Sequence, residues 1–118
     1  MGDRWYARPL VFVRDVERAR AFYVGDLGFK ENWRYAEDDQ LLIVQVSRSG
    51  CELILTQQWP EKAGTAVIFV SLDNVEFVDA IGVMAVAGVN VTDGQWGYAL
   101  KIVTDPDGNQ LWFPLPEA

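Results

Sequence analysis

Residues 9–23, "PLVFVRDVERARAFY", change their repeat partway through, and that change decides the fold. Up to Val13 the run reads as a strand whose side chains alternate between two faces. Asp15 then stands where a helix N-cap belongs. After it, Val16, Ala19, Phe22 and Tyr23 recur at helical spacing, with Glu17, Arg18 and Arg20 on the opposite, water-facing side. The glycines of "VGDLGF" (24–29) end the helix. Three strand-like runs follow, "FKENWRYAE" (29–37), "QLLIVQVS" (40–47) and "CELILTQ" (51–57), with turns at "EDD" and "SRSG". The order is βαβββ.

The second half repeats the plan. "VFVRDVE" (11–17) returns as "IFVSLDNVE" (68–76), with Phe12 and Phe69 in equivalent places, 69 − 12 = 57 residues apart. Asn74 reads as the second N-cap, and the helix after it runs to Gly88 before "VNVTD", "YALKIVT" and "NQLWFP". That helix carries charge only at Glu76 and Asp79, so its outer side is either deeply covered or meets another subunit. One domain results, with a first module over about 7–57, a linker "QQWPEKAG" over about 58–64 and a second module over about 65–115.

Alternation sorts the strand residues into two sets. Val11, Val13, Leu42, Val44, Val46, Leu53, Leu55, Ile68, Val70, Leu111 and Phe113 are expected beneath the helices. The opposite faces carry Arg8, Leu10, Phe12, Trp33, Tyr35, Ile43, Gln45, Glu52, Ile54, Val67, Phe69, Gln110 and Trp112. That second set mixes aromatics with a few polar groups, which is the composition of a ligand cup. The chain has 5 Trp, 4 Tyr and 6 Phe, enough to wall such a cup.

Composition removes several chemistries. With no histidine, imidazole general bases, His-containing triads and His–carboxylate metal sites are excluded, while a carboxylate-only magnesium or calcium site stays open. The formal charge of −7 opposes nucleic-acid binding and would attract cationic ligands. No apolar run approaches the ~18–20 residues of a membrane span. "MGDRWYARP" lacks the apolar core of a signal peptide, so a cytoplasmic location is expected. The single Cys51 lies in a strand and reads as a packing residue.

With its helix motif "RDVERARAFYVGDLGF", "LDNVE" opening the second module and "DPDGN" before the last strand, the chain resembles the vicinal-oxygen-chelate superfamily along nearly its whole length. That superfamily includes glyoxalase I, extradiol dioxygenases and the bleomycin-resistance proteins. The resemblance implies an α+β fold of two βαβββ modules forming cupped mixed β-sheets, with helices on the outer face. Metal-dependent members place one ligand on each of four strands. Counted from the shared motifs, those places hold Arg8, Ile54, Val67 and Trp112, none a usual ligand, which implies a chain with no metal and no cofactor.

The nearest likeness is to the bleomycin-resistance proteins, carried by "ARPLVFVRDVERARAFY" and "QWGYALKIVTDPDGNQLWF". It implies a homodimer with sites near the subunit boundary, a crevice role for Trp96, and a hinge at Pro9 for N-terminal arms exchanged between subunits. The expected function is sequestration of a planar or cationic antibiotic-like molecule without turnover. Trp96, Trp112, Trp33 and Tyr35 would stack, Phe12, Phe69 and Ile54 would line, and Arg8, Gln45 and Glu52 would orient. Three alternatives stay open. Trp112 and Phe69 could fill a closed core, Trp96 could anchor a loop, and Arg8 could either pair with Glu52 or meet a ligand's acid. A competing function is a metal-independent lyase, isomerase or cyclase with Glu52 or a tyrosine as acid or base.

Overall fold

The computed structural model describes residues 5–71, 80–82, 84, 87–97 and 99–115. The expected cap at Asn74 and most of the second helix lie outside the described residues. The first module consists of β1 (Leu10–Phe12), α1 (Val16–Arg20) running into a π-helical turn (Ala21–Asp26), β2 (Lys30–Glu37), β3 (Gln40–Arg48) and β4 (Cys51–Thr56). A 3₁₀ turn (Pro60–Lys62) leads to the second, with β5 (Val67–Phe69), β6 (Asn90–Gln95), β7 (Ala99–Thr104) and β8 (Gln110–Pro114). Each module forms a four-stranded mixed sheet, ordered β1-β4-β3-β2 and β5-β8-β7-β6. β1 runs parallel to β4 and β5 parallel to β8, while the remaining pairs are antiparallel. The pairing Phe12 with Thr56 and Phe69 with Trp112 carries the sequence repeat into three dimensions.

Local chemistry accounts for the elements. The Asp15 carboxylate accepts from the backbone N–H groups of Glu17 and Arg18, satisfying donors that α1 leaves open. Val16, Ala19, Phe22 and Tyr23 are all buried, as the helical spacing predicts. The antiparallel strands β2 and β3 meet at Asp38 and Asp39, both with positive φ (51° and 64°), the backbone of a tight hairpin turn that matches strand twist.

One packing expectation is corrected. Leu41, not Leu42, joins the core. In the β2–β3 pairing Tyr35 faces Ile43 and Ala36 faces Leu41, so Leu42 is an extra residue in a bulge, and a bulge reverses which side the following residues face.

A single core occupies the helix side of both sheets. Val11, Val13, Val44, Val46, Leu53 and Leu55 from the first module cluster with α1 and with Val103, Leu111 and Phe113 from the second. The two modules are also joined by the "DPDGN" turn, which does far more than reverse the chain. Asp105 is buried and accepts from the Tyr23 hydroxyl at 2.9 Å and from the Asp107 and Asn109 backbone N–H groups. Asp107 takes the Arg14 backbone N–H and the guanidinium groups of Arg14 and Arg18, each at 3.1 Å. Asn109 donates to the Phe12 carbonyl at 3.0 Å and accepts from Ala66 N–H at 3.0 Å. Thus Arg18, expected to face water, reaches across to the other module. Burial first, then the charge of Asp105, pushes the Tyr23 phenol well above its ordinary value, so Tyr23 remains a neutral donor.

Candidate functional site

Because the helix sides share one core, the other faces of the two sheets turn away from it, and these faces hold the residues expected to bind. On the first sheet, Leu10, Ile54, Gln45 and Trp33 lie in one cross-strand row, and Phe12, Thr56, Ile43 and Tyr35 in the next. Three strand spacings of ~4.8 Å make each row roughly 14 Å long, the span of a fused ring system. Trp33 is 50% and Tyr35 39% exposed. Arg8, Gln45 and Glu52 converge at one end: Glu52 Oε1 lies 3.8 Å from Arg8 Nε and accepts from Gln45 Nε2 at 3.2 Å. The Arg8 guanidinium also sits 5.2 Å from the Tyr6 ring centre. Tyr35 donates to Glu37, and that hydrogen bond holds its phenol above the usual range.

On the second sheet, Phe69 faces Trp112 and Trp112 faces Ile102. Trp96, in the turn after β6, lies over them, its ring centre 5.7 Å from Trp112 and 6.0 Å from Phe69. Trp96 is 61% and Phe69 40% exposed, so this cluster is an open wall and not a closed core. The Trp112 indole donates to Gln110 at 2.9 Å, which fixes the ring against the sheet.

The ten expected residues therefore form two groups. Arg8, Phe12, Trp33, Tyr35, Gln45, Glu52 and Ile54 share the first sheet, and Phe69, Trp96 and Trp112 the second. The ring contacts and hydrogen bonds given above fall within one group or the other. Glu52 and Phe69 do line a common groove of about 360 Å³, which runs past Ala7 and Pro9 between the two sheets. The cavity beneath it, bounded by Phe29, Cys51, Met84 and Phe113, is about 20 Å³, room for a single water. That cavity is too small for a drug-sized ligand, whereas the groove and the outer faces offer the room.

Trp59 and Lys62 also belong to the first face, although the sequence reading placed them only in a linker. Trp59 packs edge-on against Phe12 at 6.0 Å, and Lys62 Nζ lies 5.2 Å from the Phe12 ring centre. An aromatic directly before a proline, three residues beyond the end of β4, was the available signal. Cys51 packs against the core, and burial, followed by the charge of Glu52, raises its thiol, so it is poorly suited to act as a nucleophile.

The four places counted as metal positions do not form a donor set. In the sheets Ile54 faces Leu10 and not Arg8, and Val67 faces Gln110 while Trp112 faces Phe69. A guanidinium, two aliphatic side chains and an indole do not fit a dication. No group of three or more Cys, Asp or Glu side chains placed to hold a metal is found among the described residues.

Comparison with known proteins bears on the family. No curated protein matches the chain. Among solved structures, TnmS3, an antibiotic binding protein from Streptomyces sp. CB03234, superposes with a TM-score of 0.76 at 22% identity, over 99% of this chain and 100% of that one. A bleomycin-binding protein complexed with bleomycin gives 0.75 at 21% identity, over 97% and 100%. A lactoylglutathione lyase from Agrobacterium tumefaciens gives 0.74 at 14% identity, over 96% and 95%. At such identities the likeness is one of fold, shared by binding proteins and an enzyme alike. The model of the family described as glyoxalase superfamily protein matches residues 5–116, and the chain therefore belongs to the glyoxalase superfamily.

Proposed function

We propose that this protein binds and sequesters a planar aromatic or cationic antibiotic-like molecule without turning it over. The observation that carries the reading is the exposed wall of Phe69, Trp96 and Trp112. Large rings held open in mutual contact, with the Trp112 indole N–H already donated to Gln110, present stacking surface and no reacting group. A covered aromatic ring buries ~150–250 Å², and at roughly 25 cal/mol per Å² two or three supply the ~8 kcal/mol of micromolar affinity. Glu52, one of the groups an enzyme could use as acid or base, is engaged by Arg8 and Gln45, the contacts of an orienting carboxylate.

The working form is a homodimer in which the first face of one chain meets the second face of its partner, so that both walls enclose one ligand. The exposed rings on both faces support this, as does Trp5, which is 99% exposed at the start of the N-terminal arm. Exchange of the arms about Pro9 would bring Trp5 and Tyr6 against the other subunit.

A tryptophan-fluorescence titration against bleomycin and other flat antibiotics tests the reading. Quenching that saturates at micromolar concentrations, with the ligand recovered intact after long incubation, is expected. No quenching by any of them at about tens of micromolar would remove the function and leave the fold untouched. Turnover abolished by Glu52→Gln while binding persists would establish an enzyme instead.

A further inference from the structure

We propose that Phe12, Trp59 and Lys62 form a subsite for the acidic group of a flat aromatic ligand, a carboxylate or phenolate carried on its ring system. The subsite rests on the binding function above and specifies which ligands the first sheet selects.

The three side chains are brought together by one short turn. Pro60 opens it, and the Lys62 backbone N–H closes it onto the Trp59 carbonyl at 2.9 Å. The indole and the ammonium thus come from the two ends of the same turn. Trp59 stands at 84° to the Phe12 ring, and Lys62 Nζ lies 5.2 Å from the centre of Phe12 and 5.6 Å from that of Trp59. Phe12 starts a row that continues through Ile43 to the half-exposed Tyr35, an apolar floor for the rest of a flat ligand.

Charge decides the selectivity. Of the other cations of this face, Arg8 is already tied to Glu52, and Lys30 lies in the row of Ser47 and Glu52, at the other end of the sheet face from Phe12. Lys62 has no carboxylate partner among the described residues, and its ammonium lies over the two rings. Rings are weak partners for an exposed ammonium, and all three of its N–H donors stay available. An acidic group brought to this corner gains a charge-assisted hydrogen bond that replaces little. A neutral ring gains stacking only. A cationic group would have to displace Lys62 from the same rings, exchanging one cation for another with no net gain. The overall charge of −7 slows the approach of an acid, but it is screened beyond ~8 Å, whereas the Lys62 contact acts at hydrogen-bond distance.

A matched trio of probes, pyrene carboxylate, pyrene methanol and pyrene methylammonium, isolates the charge effect in titration calorimetry. The protein is expected to bind the carboxylate about tenfold more tightly than the alcohol and the ammonium most weakly. Lys62→Met should bring the carboxylate down to the level of the alcohol, and Lys62→Arg should keep the preference. Lys62 is exposed, so neither change threatens folding. An unchanged carboxylate-to-alcohol ratio in Lys62→Met, or tightest binding of the ammonium by the unaltered protein, would overturn the subsite while aromatic binding stood. Binding of none of the three would remove both the subsite and the function it rests on.

Discussion

Replacing Asn109 with alanine should lower the unfolding midpoint by about 12 °C. Asn109 is 2% exposed and makes three hydrogen bonds of 3.0 Å through its side chain, from Ala66 N–H, to the Phe12 carbonyl and to Asp105 Oδ2. Each is worth about 1 kcal/mol net, and a stranded buried partner costs more, so about 3 kcal/mol is lost. Unfolding entropy of ~2.1 cal/mol/K per residue over 118 residues is about 0.25 kcal/mol per degree, which converts that loss into the stated shift. Calorimetry together with urea unfolding measures it. Asn109→Asp sharpens the test, because it keeps the acceptor for Ala66, removes both donations and sets a second carboxylate against Asp105. That variant should be at least as unstable at neutral pH and recover part of its loss in acid. A shift below about 3 °C for the alanine variant would refute the claim that this side chain holds β1, β5 and the last turn together.

Gly64→Ala should destabilise by more than about 2 kcal/mol, since Gly64 has φ +83° and an added Cβ would lie 2.3 Å from the Asp107 carbonyl oxygen; urea midpoints report it. Glu31, held to about 2 from its ordinary 4.5 by hydrogen bonds from Arg34 and then Arg20, contributes stability at neutral pH that is lost as pH falls from about 4.5 toward 2. Glu31→Gln should therefore cost under about 1 kcal/mol at pH 7, the pair being close to solvent, and nothing at the bottom of that window, as read by urea midpoints at the two pH values. Trp96→Ala, which removes a mostly exposed ring, should leave the unfolding midpoint within a few degrees yet weaken binding of a flat antibiotic about tenfold or more; equal affinity would take Trp96 out of the site.

Much of this architecture is legible in the sequence. The repeat of 57 residues, the Asp15 cap and the alternation of apolar side chains all report local geometry: a strand alternates every two residues and a helix every 3.6, whatever the rest of the chain does. They give both βαβββ modules and assign most core and outer positions correctly. Leu42 escapes because a bulge is settled by cross-strand pairing, and β3 alone carries no mark of it. Arg18 reads as a solvated helix residue, since only the second module brings Asp107 to it.

Tertiary structure alone decided three things. It made the "DPDGN" turn a buried joint between the modules, because its hydrogen-bond partners lie as far away as Phe12, Arg14 and Tyr23. It put the linker residues Trp59 and Lys62 on the Phe12 ring. And it divided the expected binding residues between two faces that turn away from a shared core. Periodicity says which side of its own strand a residue takes. How one sheet is set against another depends on contacts between residues distant in sequence, and those exist only once the chain has folded.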